Sequence, residues 1–130
     1  MNASSVDIAD MLVDESGLGL TIGTNLFVGE EPAKPDDCVT IFDTQGFPPY
    51  LGLTEQGYYY PSVQIRVRSN VYRTGYTLMN DIMVSLHGRA QETRNGTLYS
   101  VIYASGDPGL LGWDENHRCW FITNFNLQRR

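Results

Sequence analysis

The sequence predicts an α+β fold, a mostly antiparallel β-sheet with two main helices packed on one of its faces. Three observations predict it. Residues 61–68 alternate apolar and polar side chains, the period of a half-buried strand, and a strand at 119–127 would place Cys119, Phe121, Thr123, Phe125 and Leu127 on one face. Residues 6–13 and 71–87 carry apolar stripes at steps of three and four, the period of a helix. The elements also run helix, two strands, a strand, helix, two strands, without the regular strand–helix alternation of a parallel sheet.

Taken in order, the first helix starts at Ser4 or Ser5, either of which can cap it, with Asp7 and Asp10 near its positive end. Ile8 and Leu12, flanked by Val6, Ala9 and Val13, form its apolar side, and Gly17 and Gly19 stop it near Ser16. Asn25–Gly29 reads as a short strand, with Leu26, Phe27 and Val28 at its centre. A polar loop through Glu30, Glu31, Pro32, Lys34, Pro35, Asp36 and Asp37 leads to a second strand at 38–43, rich in residues that favour strands. Residues 44–60 read as an irregular loop, because Pro48 and Pro49 remove donors and restrict their neighbours. Its aromatics either pack over the core or face a neighbouring subunit; a carbohydrate-stacking site is a third option.

In the strand at 61–68, Val63, Ile65 and Val67 face one way and Ser62, Gln64, Arg66 and Arg68 the other. Asn70 is placed to cap the main helix, whose stripe of Tyr72, Tyr76, Met79, Met83 and Leu86, widened by Leu78 and Ile82, reads as core packing, with an interface role as the alternative. Gly88 closes it. Asn95-Gly96 reads as a turn rather than a glycosylation site, and residues 97–104 as the next strand. Turns at 106–109 and 112–116 make 105–118 a long irregular connection to the last strand. The strands at 98–104 and 118–127 are expected to pair antiparallel.

A chain of 130 residues fits one domain over 1–130. Charge is distributed unevenly: residues 1–65 hold ten Asp and Glu against Lys34 alone, a net of −9, whereas 66–130 hold eight Arg against five acids, a net of +3. The overall charge of −6 and the lack of a dense basic run argue against duplex DNA as the main partner. Cys38 and Cys119, far apart and outside any CxxC pattern, read as buried thiols, with a disulfide left open. No basic start runs into an apolar stretch and no apolar segment reaches about 18 residues, so neither a secretory signal nor a membrane span is expected.

No set of residues reads as a catalytic cluster, and no cofactor or metal is expected. His87 lies at a helix end, where a cationic side chain complements the helix dipole. Asp114, Glu115, His117 and Cys119 are possible ligands without the paired Cys/His spacing of structural zinc. Gly17-x-Gly19 followed by Gly23 comes after a helix and has no lysine, so it is not a phosphate loop. Asp43-Thr44 echoes an acid-protease triplet, but Gln45 displaces the glycine, leaving Asp43 as a strand-end residue. Glu30, Glu31, Asp36 and Asp37 lack calcium-loop spacing and read as a solvated rim.

The texture of the chain is nevertheless familiar. The helix Val6-Asp7-Ile8-Ala9-Asp10-Met11-Leu12, the strand Asn25-Leu26-Phe27-Val28-Gly29 followed by Pro32, the strand Cys38-Val39-Thr40-Ile41-Phe42-Asp43 with Gly46 and Pro48 after it, the strand at 62–68 and the helix opening Tyr72-Arg73-Thr74-Gly75-Tyr76 together resemble the tail-terminator (minor capsid, tail-completion) proteins of long-tailed bacteriophages. The resemblance implies a non-enzymatic virion protein at the head–tail junction, assembled in the cytoplasm of a bacterial host. It implies a homo-oligomeric ring, usually a hexamer, that caps the tail tube, ends its polymerisation and meets both the tail-tube protein and a head-completion protein. Arg66, Arg68 and Arg73 are then candidate assembly contacts for acids of the first half, and Tyr58, Tyr59 and Trp113 candidate aromatic contacts. An arginine-lined bore would touch passing DNA at most weakly. Three readings compete: another phage head-completion or tail-tube morphogenesis protein, a small adaptor that adds a peptide to a sheet edge, and a hydrolase built on Asp43, His117 or Cys119.

Overall fold

The computed structural model describes residues 1–49 and 57–130. The chain forms helix α1 (Ser4–Val13), a 3-10 turn (Ser16–Leu18), strands β1 (Leu26–Val28), β2 (Cys38–Phe47) and β3 (Tyr60–Ser69), helix α2 (Tyr72–Leu86), and strands β4 (Arg89–Arg94), β5 (Thr97–Ala104), β6 (Gly109–Trp113) and β7 (Cys119–Arg129). The strands make one sheet in the order β1-β2-β3-β7-β5-β4, with β6 also paired to β7. Every pairing is antiparallel except β1 with β2. The last strand is thus a central one. One edge of β7 pairs with β3 from Cys119 to Asn126. Its other edge carries β6 opposite Cys119–Ile122 and β5 opposite Phe125–Arg129.

Both helices cover the same face, so the fold is the α+β arrangement expected from the sequence. Strand alternation puts Val39 and Ile41 of β2, Val63, Ile65 and Val67 of β3, and Phe121, Phe125 and Leu127 of β7 on that face, where Ile8, Met11 and Leu12 of α1 and Met79, Ile82 and Leu86 of α2 close over them. Burying each such side chain stabilises the fold by about 1.5–3 kcal/mol before entropy is counted. Gly75, inside α2, leaves room for this packing: a Cβ there would stand 3.2 Å from the Phe121 ring. Tyr72 and Tyr76 flank the gap and meet Phe121 edge-on at 5.0 and 5.7 Å, leaving their own rings about half exposed. The helix stripe is therefore core at Met79, Ile82 and Leu86 and surface at its tyrosine end.

Several expectations need correction. Residues 44–47 extend β2 rather than open a loop; of the expected irregular stretch, 50–56 lie outside the described residues. The connection 105–118 contains β6, and β4 precedes the Asn95-Gly96 turn. That turn, with φ of 52° and 78°, joins β4 to β5 between the paired Arg94 and Thr97. The first helix ends at Val13, and the glycines after it belong to the 3-10 turn and its exit. Neither helix is capped as expected. Ser5 donates its amide to Asp43 Oδ1 at 3.0 Å and its hydroxyl to Oδ2 at 2.6 Å, so a carboxylate of β2 caps α1 from outside the helix. Asn70 lies before the Val71 cap position of α2 and donates its amide to Asp37 Oδ1 at 3.2 Å.

The extension of β2 depends on a bulge between Thr44 and Phe47, where Gly46 has φ of +57°. A Cβ on Gly46 would come within 2.4 Å of the Tyr60 carbonyl oxygen. We therefore expect Gly46→Ala to lower unfolding stability by at least about 1 kcal/mol in urea titrations, from the left-handed backbone alone. Gly17→Ala, at a position with open space and no such φ, is the control and should change it little.

Candidate functional site

The loop between β1 and β2 is held down by two arginines from later in the chain. Arg68 of β3, only 3% exposed, pairs with Glu31 at 3.0 Å and donates to the carbonyls of Pro35 at 2.7 Å and Asp36 at 3.2 Å. Trp120 Nε1 reaches the same Glu31 carboxylate at 2.9 and 3.0 Å. Arg118, beside the start of β7, donates to the Ala33 carbonyl at 2.6 Å, to Asp36 Oδ1 at 3.3 Å and to Asp114 Oδ2 at 2.7 Å. The hydrogen bond from Lys34, with Arg118 close by, holds the Asp36 carboxyl below its ordinary range. At Asp114 burial works the other way, but the backbone and side-chain donors of Arg118 outweigh it and the carboxyl is again held low.

A second polar cluster fastens α1 to the sheet. Asp7, fully buried in the first turn of α1, accepts from Tyr99 Oη at 2.5 Å, Asn95 Nδ2 at 2.7 Å and Asn2 Nδ2 at 3.4 Å. Arg129 Nη1 completes the cluster with bonds to the Asn2 carbonyl at 2.8 Å and Tyr99 Oη at 3.2 Å. Such a carboxylate is tolerated because its lone pairs are filled and the helix start favours a negative charge. Burial, and then the bond it donates to Asp7, push the Tyr99 phenol up to about 12.

These contacts use up much of the charge contrast between the halves of the chain. Arg68, Arg89, Arg94 and Arg118 pair with Glu31, Glu15, Asp14 and Asp36 of the first half. Arg68, expected at an assembly contact, has almost no surface to offer a neighbour. Arg66 lies on the helix-free face of the sheet, its guanidinium 5.2 Å from the Phe42 ring centre. Arg73 is exposed on α2, on the opposite side. Tyr58 lies beneath Arg130, and Tyr59, about half exposed, exchanges backbone bonds with Arg129. Trp113, also about half exposed, stacks on His117 at 4.8 Å. The candidates are therefore divided among β3, the residues just before it, α2 and β6, and Arg66 and Arg73 lie on opposite sides of the sheet.

The residues weighed for chemistry are also engaged elsewhere. His87 follows α2, and its Nδ1 accepts the Ala104 amide at 2.9 Å, so it anchors β5 to the helix end. Cys38 and Cys119 are free, buried thiols, both pushed up first by burial, and Cys119 donates to the Ser69 carbonyl. Among the described residues no three His, Cys, Asp or Glu side chains are grouped to hold a metal, and no helix is long and apolar enough to cross a membrane. What the surface does offer is apolar. Leu110, Leu111 and Trp113 of β6 stand about half exposed, as do Tyr72 and Tyr76. The leucine pair in Gly109-Leu110-Leu111-Gly112-Trp113 was the available signal for this strand, obscured by the two glycines.

A family model described as bacteriophage tail terminator protein matches residues 7–130, a span that includes every strand of the sheet. No curated protein matches the chain.

Two expectations follow from the polar clusters. Asp36 and Asp114 have depressed folded-state pKa values, so the stability they contribute is fully present above the unfolded carboxyl value, about 3.9, and is lost as pH falls below it. Arg118→Gln should flatten that acid limb in a series of denaturant titrations below pH 5; an unchanged slope would show that Arg118 does not hold these carboxyls low. Tyr99→Phe takes a donor from buried Asp7 and should cost about 1–3 kcal/mol. Tyr103→Phe, at an exposed phenol, should cost little in the same thermal melts.

Proposed function

Because the chain belongs to the bacteriophage tail terminator protein family, we propose that it caps the end of the phage tail tube as a ring, stops tube polymerisation and presents the surface that joins tail to head. The family assignment makes it a structural component of the virion tail, and the match over residues 7–130 is the observation that carries the proposal. The ring is a homo-oligomer, hexameric in this reading, in which unlike faces of successive copies meet and close. Its neighbours are the tail-tube protein on one side and a head-completion protein on the other.

The disposition of polar and apolar groups supports a scaffold role. Most polar side chains in the clusters above hold the subunit together, leaving apolar strand edges and a tyrosine-bearing helix end for contacts. Arg66 and Arg73, on opposite sides of the sheet, are available for axial or lateral partners; Arg68 is better assigned to internal stability. With a net charge of −6, any contact with DNA crossing the ring is weak.

Electron microscopy of the purified chain mixed with tail tubes tests the proposal. A ring confined to one end of each tube, with no further growth when tube subunits are added, is expected. Decoration along the tube, or tubes that continue to lengthen past the bound protein, would overturn it.

A further inference from the structure

Sheet edges are where strands join between chains, and monomeric proteins blunt them with charge, bulges or cover. Among the described residues this sheet has three. The β4 edge is blunted: its sequence is Arg-Ala-Gln-Glu-Thr-Arg, and Gln91 breaks its regularity with φ of 53°. The β6 and β1 edges are left apolar. Leu111 and Trp113 stand 48% and 44% exposed on β6. At β1, Phe27, Val28 and Pro32, with Glu30, line an open cleft of about 310 Å³, and Ile22 beside it is 50% exposed.

The registers relate these two edges. Gly109 pairs with Ile122, Ile122 with Arg66, Arg66 with Thr40 and Thr40 with Phe27, a single row across five strands. The next row runs Leu110, Phe121, Val67, Val39, Leu26. Gly109 and Leu110 at the start of β6 thus terminate the same two rows as β1, at the opposite end, and Leu111 and Trp113 follow along the same β6 edge. Four strand spacings put them about 19 Å apart, too far to touch within one copy.

We infer that the β6 edge of one copy docks on the β1 edge of the next, with Leu111 and Trp113 entering the cleft beside Phe27 and Val28. This deepens the ring reading and rests on it. A head-to-tail ring needs two different, mutually complementary surfaces on each copy, and a partner of another kind would require only one of them. The contact is made by side chains. Leu26 bonds its amide and carbonyl within the turn that starts at Thr21, and the β6 ladder is interrupted between Leu110 and Gly112. Stacking on His117 holds the Trp113 ring in place.

The test places photoreactive benzoyl-phenylalanine at position 111 in the full chain. Isotopically heavy and light copies are mixed, alone and on tail tubes, and irradiated. Mass spectrometry should find heavy–light crosslinks from position 111 to residues 22–32. Crosslinks to residues 107–115 of another copy, to the tube protein only, or to no second copy would overturn the inference. Leu111→Asp and Ile22→Asp, both at exposed side chains, should each lower the assembled fraction about tenfold or more by placing a charge in an apolar contact, with melting temperature unchanged. Assembly that survives both changes would also overturn it. Tube capping by rings that crosslink elsewhere would leave the proposed function standing without this contact. Rings that crosslink as expected yet ignore tube ends would do the reverse.

Discussion

The register of β7 is the constraint on which the rest of the structure depends. This strand holds β3 along one edge and both β6 and β5 along the other, so it fixes the relative position of three strands at once. Its inward side chains, Cys119, Phe121, Thr123, Phe125 and Leu127, alternate strictly with outward ones. A slip of one residue would turn all five away from the helices. The gap at Gly75 and the two tyrosines flanking it fit Phe121 only in the observed register. The same register aligns the two apolar edges across the sheet.

Electrostatics plays a different part from the one its sequence pattern suggests. The acidic first half and arginine-rich second half read as two surfaces for unlike neighbours, yet four of the eight arginines close onto acids of the first half within the subunit. Exposed pairs of this kind contribute little individually. Arg68 and Arg118 are different because they are buried: Arg68 joins Glu31, two backbone carbonyls and Trp120 in one network, and removing a charged member leaves a desolvated group without its partner. The loop between β1 and β2 is thereby fixed beside the cleft at β1.

Elements that bury an apolar face were legible in the sequence. The alternation of Val63, Ile65 and Val67, the helix stripe through Met79, Ile82 and Leu86, and the Asn95-Gly96 turn all carry their own periodicity or turn chemistry. β4 carried none, because the residues it directs toward α1 and α2 are Arg89, Glu92 and Arg94, which form ion pairs instead of packing. β6 was too short and glycine-rich to show a period. The α1 cap was hidden because Asp43, thirty-eight positions from Ser5, supplies it, and local capping rules see only neighbouring residues. Trp113 was legible as a candidate aromatic from its type and its setting between two turns. Leu111 and Ile22 needed the pairing map, which puts Leu111 at the irregularity of the β6 edge and Ile22 beside Leu26 at the β1 edge.

The central strand follows all the others in the chain, and this has a consequence for synthesis. As the polypeptide leaves the ribosome, β1 to β3 can pair among themselves and β4 with β5, but no strand joins the two sets, and β6 has no partner strand, until β7 emerges. Arg118, which ties down the β1–β2 loop, also arrives late. Nascent chains therefore cannot display the two edges in alignment, because the strand that aligns them has not yet been made. Long-range closure of this sort slows folding. It also leaves the β6 and β1 edges unaligned until β7 is in place.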